Sequence, residues 1–144
     1  MGNDWNKEEV RSLIQKHCPD QIAIIDNVAV TSFFEELAIA FKKLHDEKLE
    51  EKYTAKELYW GIDFCYLHPL VFWVRTGISF AKRYEGELWA DFYYDKGKFH
   101  FDACQGRSKT WPMDALDSRE IFCVEVIQKF EKLFGRHSAK KTWA

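Results

Sequence analysis

The chain has 144 residues, which is enough for one domain with a single sizeable core. Hydrophobic residues make up 47% of it and charged residues 31%, a balance that excludes a disordered chain. A net charge of −2 gives no general attraction to nucleic acid or to an anionic membrane, and the longest apolar run, near residues 70–74, is too short to cross one.

Aromatic residues account for 17% of the chain, with six Trp, six Tyr and twelve Phe. Large rings fill cores, but Trp and Tyr are also enriched at protein interfaces. The composition therefore favours a binding role.

The four cysteines form no C-x-x-C pair, and no apolar stretch near the start resembles a secretory signal. We therefore expect reduced thiols in a cytoplasmic protein. Cys65 and His68 have a spacing that zinc can use on a helix, but no second pair of matching spacing follows. The spacing indicates a buried thiol and a histidine near a helix end.

The first helix is predicted from the residues at its two ends. Asn6 and Glu9 form a capping box, and the helix that follows must end at Cys18, because the residue before proline is pushed out of the helical region. Residues 21–30 are β-branched and predict a short hairpin or a kinked strand, without deciding whether it joins the main sheet.

A second box at residues 32–35 predicts a helix with an apolar side formed by Phe34, Leu37, Phe41 and Leu44. Residues 45–52 then read as a solvated last turn and a connector. A third box at residues 54–57 predicts a helix that reaches Cys65.

From residue 70 to residue 104 the apolar period becomes two, which is typical of strands. Loops at residues 84–86 and 95–98 divide this region into three strands. The predicted inward residues are Phe72, Val74, Ile78, Phe80, Leu88, Ala90, Phe92, Tyr94, Phe99, Phe101 and Ala103. A loop at residues 105–113 follows.

A last capping box at residues 117–120 predicts a helix that ends at Gly135. Its apolar side would carry Ile121, Val124, Ile127, Phe130, Leu133 and Phe134.

This order predicts an α+β fold, a two-layer sandwich in which an antiparallel sheet of three to four strands carries about four helices packed on one face. We predict one globular domain over residues 1–135 and a flexible basic tail over residues 136–144. The other face of the sheet would be open.

The turn at residues 95–98 predicts the register of the last hairpin. It places Asp91 opposite Asp102, and Tyr93 opposite His100. Like charges in this relation normally cost stability. If water and Arg75 or Lys98 soften the repulsion, the face is an ordinary solvated one, and replacing either aspartate by asparagine should stabilise the fold.

The loop at residues 84–86 predicts the neighbours on the other side. It places Ser79 beside Asp91 and Gly77 beside Tyr93, with Arg75 close to Tyr93. Because glycine has no side chain, Gly77 would leave a shallow gap next to Tyr93.

The same face also has residue types suited to binding or to chemistry. Trp73, Trp89 and Tyr93 among charged groups resemble the mixture found in interface hot spots. Asp91, Asp102 and His100 could instead hold a divalent metal or transfer protons. Cys104 is not a nucleophile activated by His100, because four residues of strand, at ~3.3 Å each, separate them by about 13 Å.

We predict a non-enzymatic cytoplasmic protein-binding module, of the inhibitor, immunity-protein or adaptor kind, with no cofactor. Its partner would be another protein, such as an enzyme that it inhibits. The predicted binding residues are Trp73, Arg75, Trp89, Asp91, Tyr93, His100, Asp102 and Trp111. One alternative is a small metal-dependent hydrolase that uses Asp91, Asp102 and His100, and another is a small-ligand sensor with a pocket beneath the helices.

Overall fold

A computed structural model describes residues 6–49, 58–64, 68, 70–76, 89–104 and 108–140. The α-helices are α1 (Lys7–His17), α2 (Ile22–Asp26), α3 (Val28–Leu44) and α4 (Arg119–Lys140). The strands are β1 (Leu58–Asp63), β2 (Val71–Thr76), β3 (Trp89–Asp95), β4 (Lys98–Ala103) and β5 (Ser108–Pro112). A single turn of 3₁₀-helix, Pro19–Gln21, precedes α2, and a 3₁₀ segment of six residues, Met113–Ser118, precedes α4. A π-helical turn, His45–Leu49, follows α3.

The five strands form one antiparallel sheet in the order β1-β2-β3-β4-β5, so each strand pairs with its neighbours along the chain. The predicted α+β fold is confirmed, with β1 and β5 extending the predicted sheet to five strands.

The core lies between the sheet and helices α3 and α4. We call the covered side of the sheet the inner face, which carries the buried residues Leu58, Trp60, Ile62, Phe72, Val74, Ala90, Phe92, Phe99, Phe101, Ala103 and Trp111. Phe33 of α3 stacks on Phe122 of α4 with centroids 4.6 Å apart, and both rings contact Phe92. This aromatic layer leaves the other side of the sheet, which we call the open face, turned away from the two helices.

The hairpin of β3 and β4 has the register predicted from the sequence. Asp91 pairs with Asp102 and Tyr93 with His100 across a two-residue turn. Lys96 and Gly97 both have positive φ, 51° and 78°. Turns of this kind have a twist that matches the strands that they join.

The caps of α1 are also as predicted. The Asn6 side chain accepts a hydrogen bond from the Glu9 backbone N–H at 3.0 Å, and the helix ends at Cys18 before Pro19. The capping box at the second helix was wrongly placed, since α3 begins at Val28 and is capped by Asn27.

Residues 22–26 and 28–30 are helical, so the predicted strand at residues 21–30 is wrong. Ile25 and Val30 are fully buried there. Helical burial of β-branched residues against the core outweighs their preference for strands, which is a weak one.

Residues 58–63 form a strand and not the predicted helix. Leu58 and Ile62, four apart, fit both the helical period and the strand period. Burial of Trp60 between them, with Tyr59 and Asp63 exposed, shows the period of two. The box at residues 54–57 and Cys65 lie outside the described residues.

Strand β2 has the predicted faces, with Phe72 and Val74 inward, but different partners on β3. Trp73, and not Ser79, lies opposite Asp91, a shift of six residues along β2. An even shift keeps every side chain on its own face, which is why the hydrophobic pattern did not exclude the wrong register. The predicted loop at residues 84–86 lies outside the described residues, as do Gly77, Ser79, Ile78 and Phe80.

The second half of the predicted loop at residues 105–113 is the edge strand β5. Phe99 pairs with Trp111, so Trp111 points to the inner face and is only 6% exposed. Trp111, which was predicted as a binding residue, therefore lies in the core and not on the open face.

Helix α4 begins at Arg119, within the predicted capping box, but its end and its core side differ from the prediction. It runs past Gly135 to Lys140, while Ile121 and Val124 are 71% and 55% exposed. Its core side is formed by Phe122, Val126, Phe130, Leu133 and Phe134. The predicted flexibility of residues 136–144 stays a prediction.

Residues 45–49, expected to be solvated, include the buried His45 and Leu49.

Candidate functional site

The open face presents the polar half of strands β2 to β4. Its cross-strand rows run from Trp73 to Asp91 to Asp102, and from Val71 to Tyr93 to His100. Of the eight predicted binding residues, seven lie here and Trp111 does not.

The two facing aspartates have separate partners. The Arg75 guanidinium donates through one nitrogen to both carboxylate oxygens of Asp91, at 2.8 and 3.1 Å. The Tyr93 hydroxyl donates to Oδ2 of Asp102 at 2.5 Å. Charge-assisted hydrogen bonds of this kind are stronger than neutral ones. Arg75 thus offsets part of the repulsion between the two aspartates. It lies opposite Trp89, and not near Tyr93 as predicted.

Three aromatic rings stack along the face. The Tyr93 ring lies between His68, at a centroid distance of 3.7 Å, and His100, at 4.8 Å. Nε2 of His100 is 3.3 Å from the backbone oxygen of Asp95. His100 is therefore held as part of a stack and not directed at Asp91 and Asp102 together.

His68 is a residue of this site that the sequence did not reveal. Its Nδ1 is buried, has no hydrogen-bond partner within the described part of the chain, and lies 4.0 Å from Oδ2 of Asp95. The sequence suggested only a histidine near a helix end. Once residues 58–63 are recognised as a strand, the connection to β2 brings His68 onto the open face.

Burial changes the protonation of two members of the stack. Burial lowers the pKa of His68, against the opposing effect of the Asp95, Asp102 and Asp91 carboxylates. Burial, the hydrogen bond to Asp102 and the nearby carboxylates raise the pKa of the Tyr93 hydroxyl. The stack is therefore neutral at its His68 and Tyr93 positions near pH 7.

A cleft of about 330 Å³ lies beside the stack. Val71 and Trp73 of β2 line its middle, and the carboxylates of Asp63 and Asp91 come from the strands on either side. Phe64, His68 and Arg75 complete the lining. Ligand pockets usually measure ~300–1,000 Å³, so this one has room for a side chain or a small molecule.

The sequence predicted a shallow gap between Gly77 and Tyr93. The residue opposite Tyr93 is instead Val71, which lines the cleft. The glycine next to Trp73 on the sheet is Gly61 of β1, which contributes no side chain to the open face. Asp63 and Phe64 were missed because residues 54–65 were predicted as a helix, which does not pair with β2.

Within the described ranges, no group of three or more His, Cys, Asp or Glu side chains is arranged to hold a metal ion. Asp91 and Asp102 bond to Arg75 and Tyr93, and His100 stacks on Tyr93. This geometry gives no support to the alternative of a metal-dependent hydrolase.

The chain matches no protein family model, no curated protein and no solved structure. Its class is defined by the fold, an α+β domain with a five-stranded antiparallel meander covered by helices on one face. In the part of the chain that the structure describes, no helix has the length and apolar character needed to span a membrane.

Proposed function

We propose that this chain is a non-enzymatic binding module whose open face docks another protein. The observation that supports it is the arrangement of mutually contacting aromatic and charged side chains on neighbouring strands. Trp73 and Tyr93 are half-buried, and Arg75 is held by Asp91. Trp, Tyr and Arg are the residue types that dominate binding energy at protein interfaces.

Preorganisation adds to this support. Binding costs free energy for every side chain that must be immobilised, at about 0.5–1.5 kcal/mol each. On the open face the Tyr93 ring is already stacked on both sides and Arg75 is already paired. A partner would meet a surface whose side chains have lost much of this freedom.

An inhibitor, an immunity-type antidote to a toxic enzyme, or an adaptor would all use such a face. We further propose a cytoplasmic location, in which thiols stay reduced. Cys18, Cys104 and Cys123, the cysteines that the structure describes, are free thiols.

The test is quantitative capture from a lysate of the cells that make this chain. Wild type, Arg75→Ala and Lys43→Ala would be immobilised in parallel. Lys43 is an exposed cation on α3, far in the fold from the open face, so it controls for loss of charge. Unfolding curves would first establish that the three proteins are equally stable.

We expect one protein to be retained by wild type and by Lys43→Ala, and to be reduced at least tenfold by Arg75→Ala. Truncating a hot-spot residue costs about 2 kcal/mol or more, which exceeds the 1.4 kcal/mol of a tenfold change. Retention by all three proteins alike, or by none, would refute docking through this face.

A further inference from the structure

The outward side chains of the described strands carry an excess of negative charge. Four are carboxylates and two are cationic, Arg75 and Lys98. The four carboxylates are those of Asp63, Asp91, Asp95 and Asp102. This charge suits a basic partner, because electrostatic complementarity guides both encounter and specificity.

The cleft has the same excess of negative charge as the open face. Asp63 and Asp91 line it, together with one cationic residue, Arg75, which is already paired with Asp91. His68 adds no positive charge near pH 7, because its burial disfavours the protonated ring. The cleft thus keeps one negative charge in excess.

The rest of the lining suits the stem of a long cationic side chain. Val71 and Trp73 line the cleft from β2, the strand between those that carry Asp63 and Asp91. Arginine and lysine bury their methylene stems against apolar surface while the charged head reaches polar groups. A guanidinium also stacks on aromatic faces and pairs with carboxylates through a planar fork, which an ammonium cannot do.

We propose that the cleft receives an arginine side chain from a basic segment of the partner protein, with the guanidinium at Asp63, the carboxylate that Arg75 does not pair with, and the stem along Val71 and Trp73. This inference rests on the proposed function and names the chemistry of the partner.

A titration of the intact chain with hexa-arginine peptide tests the cleft directly. The indole N–H resonance of Trp73 would be followed by NMR and assigned from its loss in Trp73→Phe. Hexalysine and hexaglutamate serve as comparison peptides. Asp63→Asn is the informative variant, because asparagine can still accept the hydrogen bond that Asp63 receives from the Phe64 backbone N–H at 2.8 Å.

We expect hexa-arginine to shift the Trp73 resonance with an affinity at least threefold above that of hexalysine, and Asp63→Asn to weaken it at least threefold. Asp114→Asn removes an exposed carboxylate from the 3₁₀ segment Met113–Ser118 and should leave the affinity unchanged. A response to hexaglutamate equal to that to hexa-arginine, or equal losses in the two variants, would overturn the proposal.

Failure of this inference can be told from failure of the proposed function. If a captured protein is retained through Arg75 but not through Asp63, docking by the open face is supported and arginine binding in the cleft is refuted. If hexa-arginine binds selectively but no protein is captured, the preference of the cleft for arginine is supported and docking of a partner protein is refuted.

Discussion

Asp91 and Asp102 face each other across the hairpin, and each is stabilised by a different side chain. Arg75 bonds to Asp91 from β2, and the Tyr93 hydroxyl bonds to Asp102 from within the hairpin. A facing like-charge pair and a partly exposed ion pair are each worth up to about 1 kcal/mol, with opposite signs. The stabilisation that the sequence suggested for an aspartate-to-asparagine substitution therefore no longer follows.

His68 should make the stability of the fold depend on pH. Because burial lowers its pKa in the folded state, the unfolded chain binds protons first as the pH falls. The contribution of His68 is complete above the unfolded pKa of about 6.5, and it decreases as the pH falls through that value towards the folded pKa. The groups that face His68 are Tyr93 and Asp95, with His100, Asp91 and Asp102 nearby.

We expect the urea midpoint of wild type to drop more between pH 7.5 and pH 5.5 than that of His68→Phe, which keeps a ring to stack on Tyr93. An equal drop in the two proteins would show that other groups cause the pH dependence.

Among the structural elements, the β3–β4 hairpin is the one that its own sequence specifies most completely. Gly97 has no side chain to clash at φ 78°, and a Cβ there would meet no atom within 4 Å, so the constraint is the backbone alone. Lys96 has φ 51° without being glycine or asparagine. Ordinary residues in this conformation are strained by roughly 1–2 kcal/mol.

Replacing Lys96 by asparagine should relieve part of that strain, because Asn-Gly is the preferred sequence of such turns. We expect Lys96→Asn to raise the free energy of unfolding by about 0.5–1 kcal/mol, measured by urea denaturation. Lys96→Thr, which removes the same charge but is β-branched, should lower it. Equal effects of the two substitutions would mean that charge, and not turn geometry, is responsible.

In the molecule as a whole, aromatic rings of the sheet pack against rings of α3 and α4, and Phe92 is one of them. Phe92 is fully buried and contacts Phe33 and Phe34 of α3, Phe99 of β4, Trp111 of β5 and Phe122 of α4, at centroid distances of 5.2 to 6.1 Å. Packing of this kind makes the aromatic content primarily a property of the core.

We expect Phe92→Ala to lower the free energy of unfolding by about 3–5 kcal/mol, a large part of the ~5–15 kcal/mol of a typical domain. Phe92→Leu, which refills part of the cavity, should lose less. Ile39→Ala, at a residue 71% exposed on α3, should change stability by less than about 0.5 kcal/mol. A loss in Phe92→Ala no greater than in Ile39→Ala would contradict this account of the core.

Local signals predicted some elements and left others undecided. Asn6 begins α1 and Pro19 follows its end, both through interactions within a few residues. The strand β1 was missed because Leu58 and Ile62 fit two periods, and α2 was missed because its isoleucines favour strands in isolation. The shared face of the candidate residues on β3 and β4 was predicted from the sequence, whereas the nearness of His68, Asp63 and Phe64 to them was not.

The sequence by itself determined the α+β class, the two faces of β2 to β4 and the pairing of Asp91 with Asp102. These depend on the period of two and on a short turn, which act over neighbouring residues. Only the tertiary structure decided that Trp111 is buried, that Trp73 lies opposite Asp91, and that His68 stacks on Tyr93. These depend on which distant segments pack together, and an even shift of register leaves the hydrophobic pattern unchanged while giving every residue new neighbours.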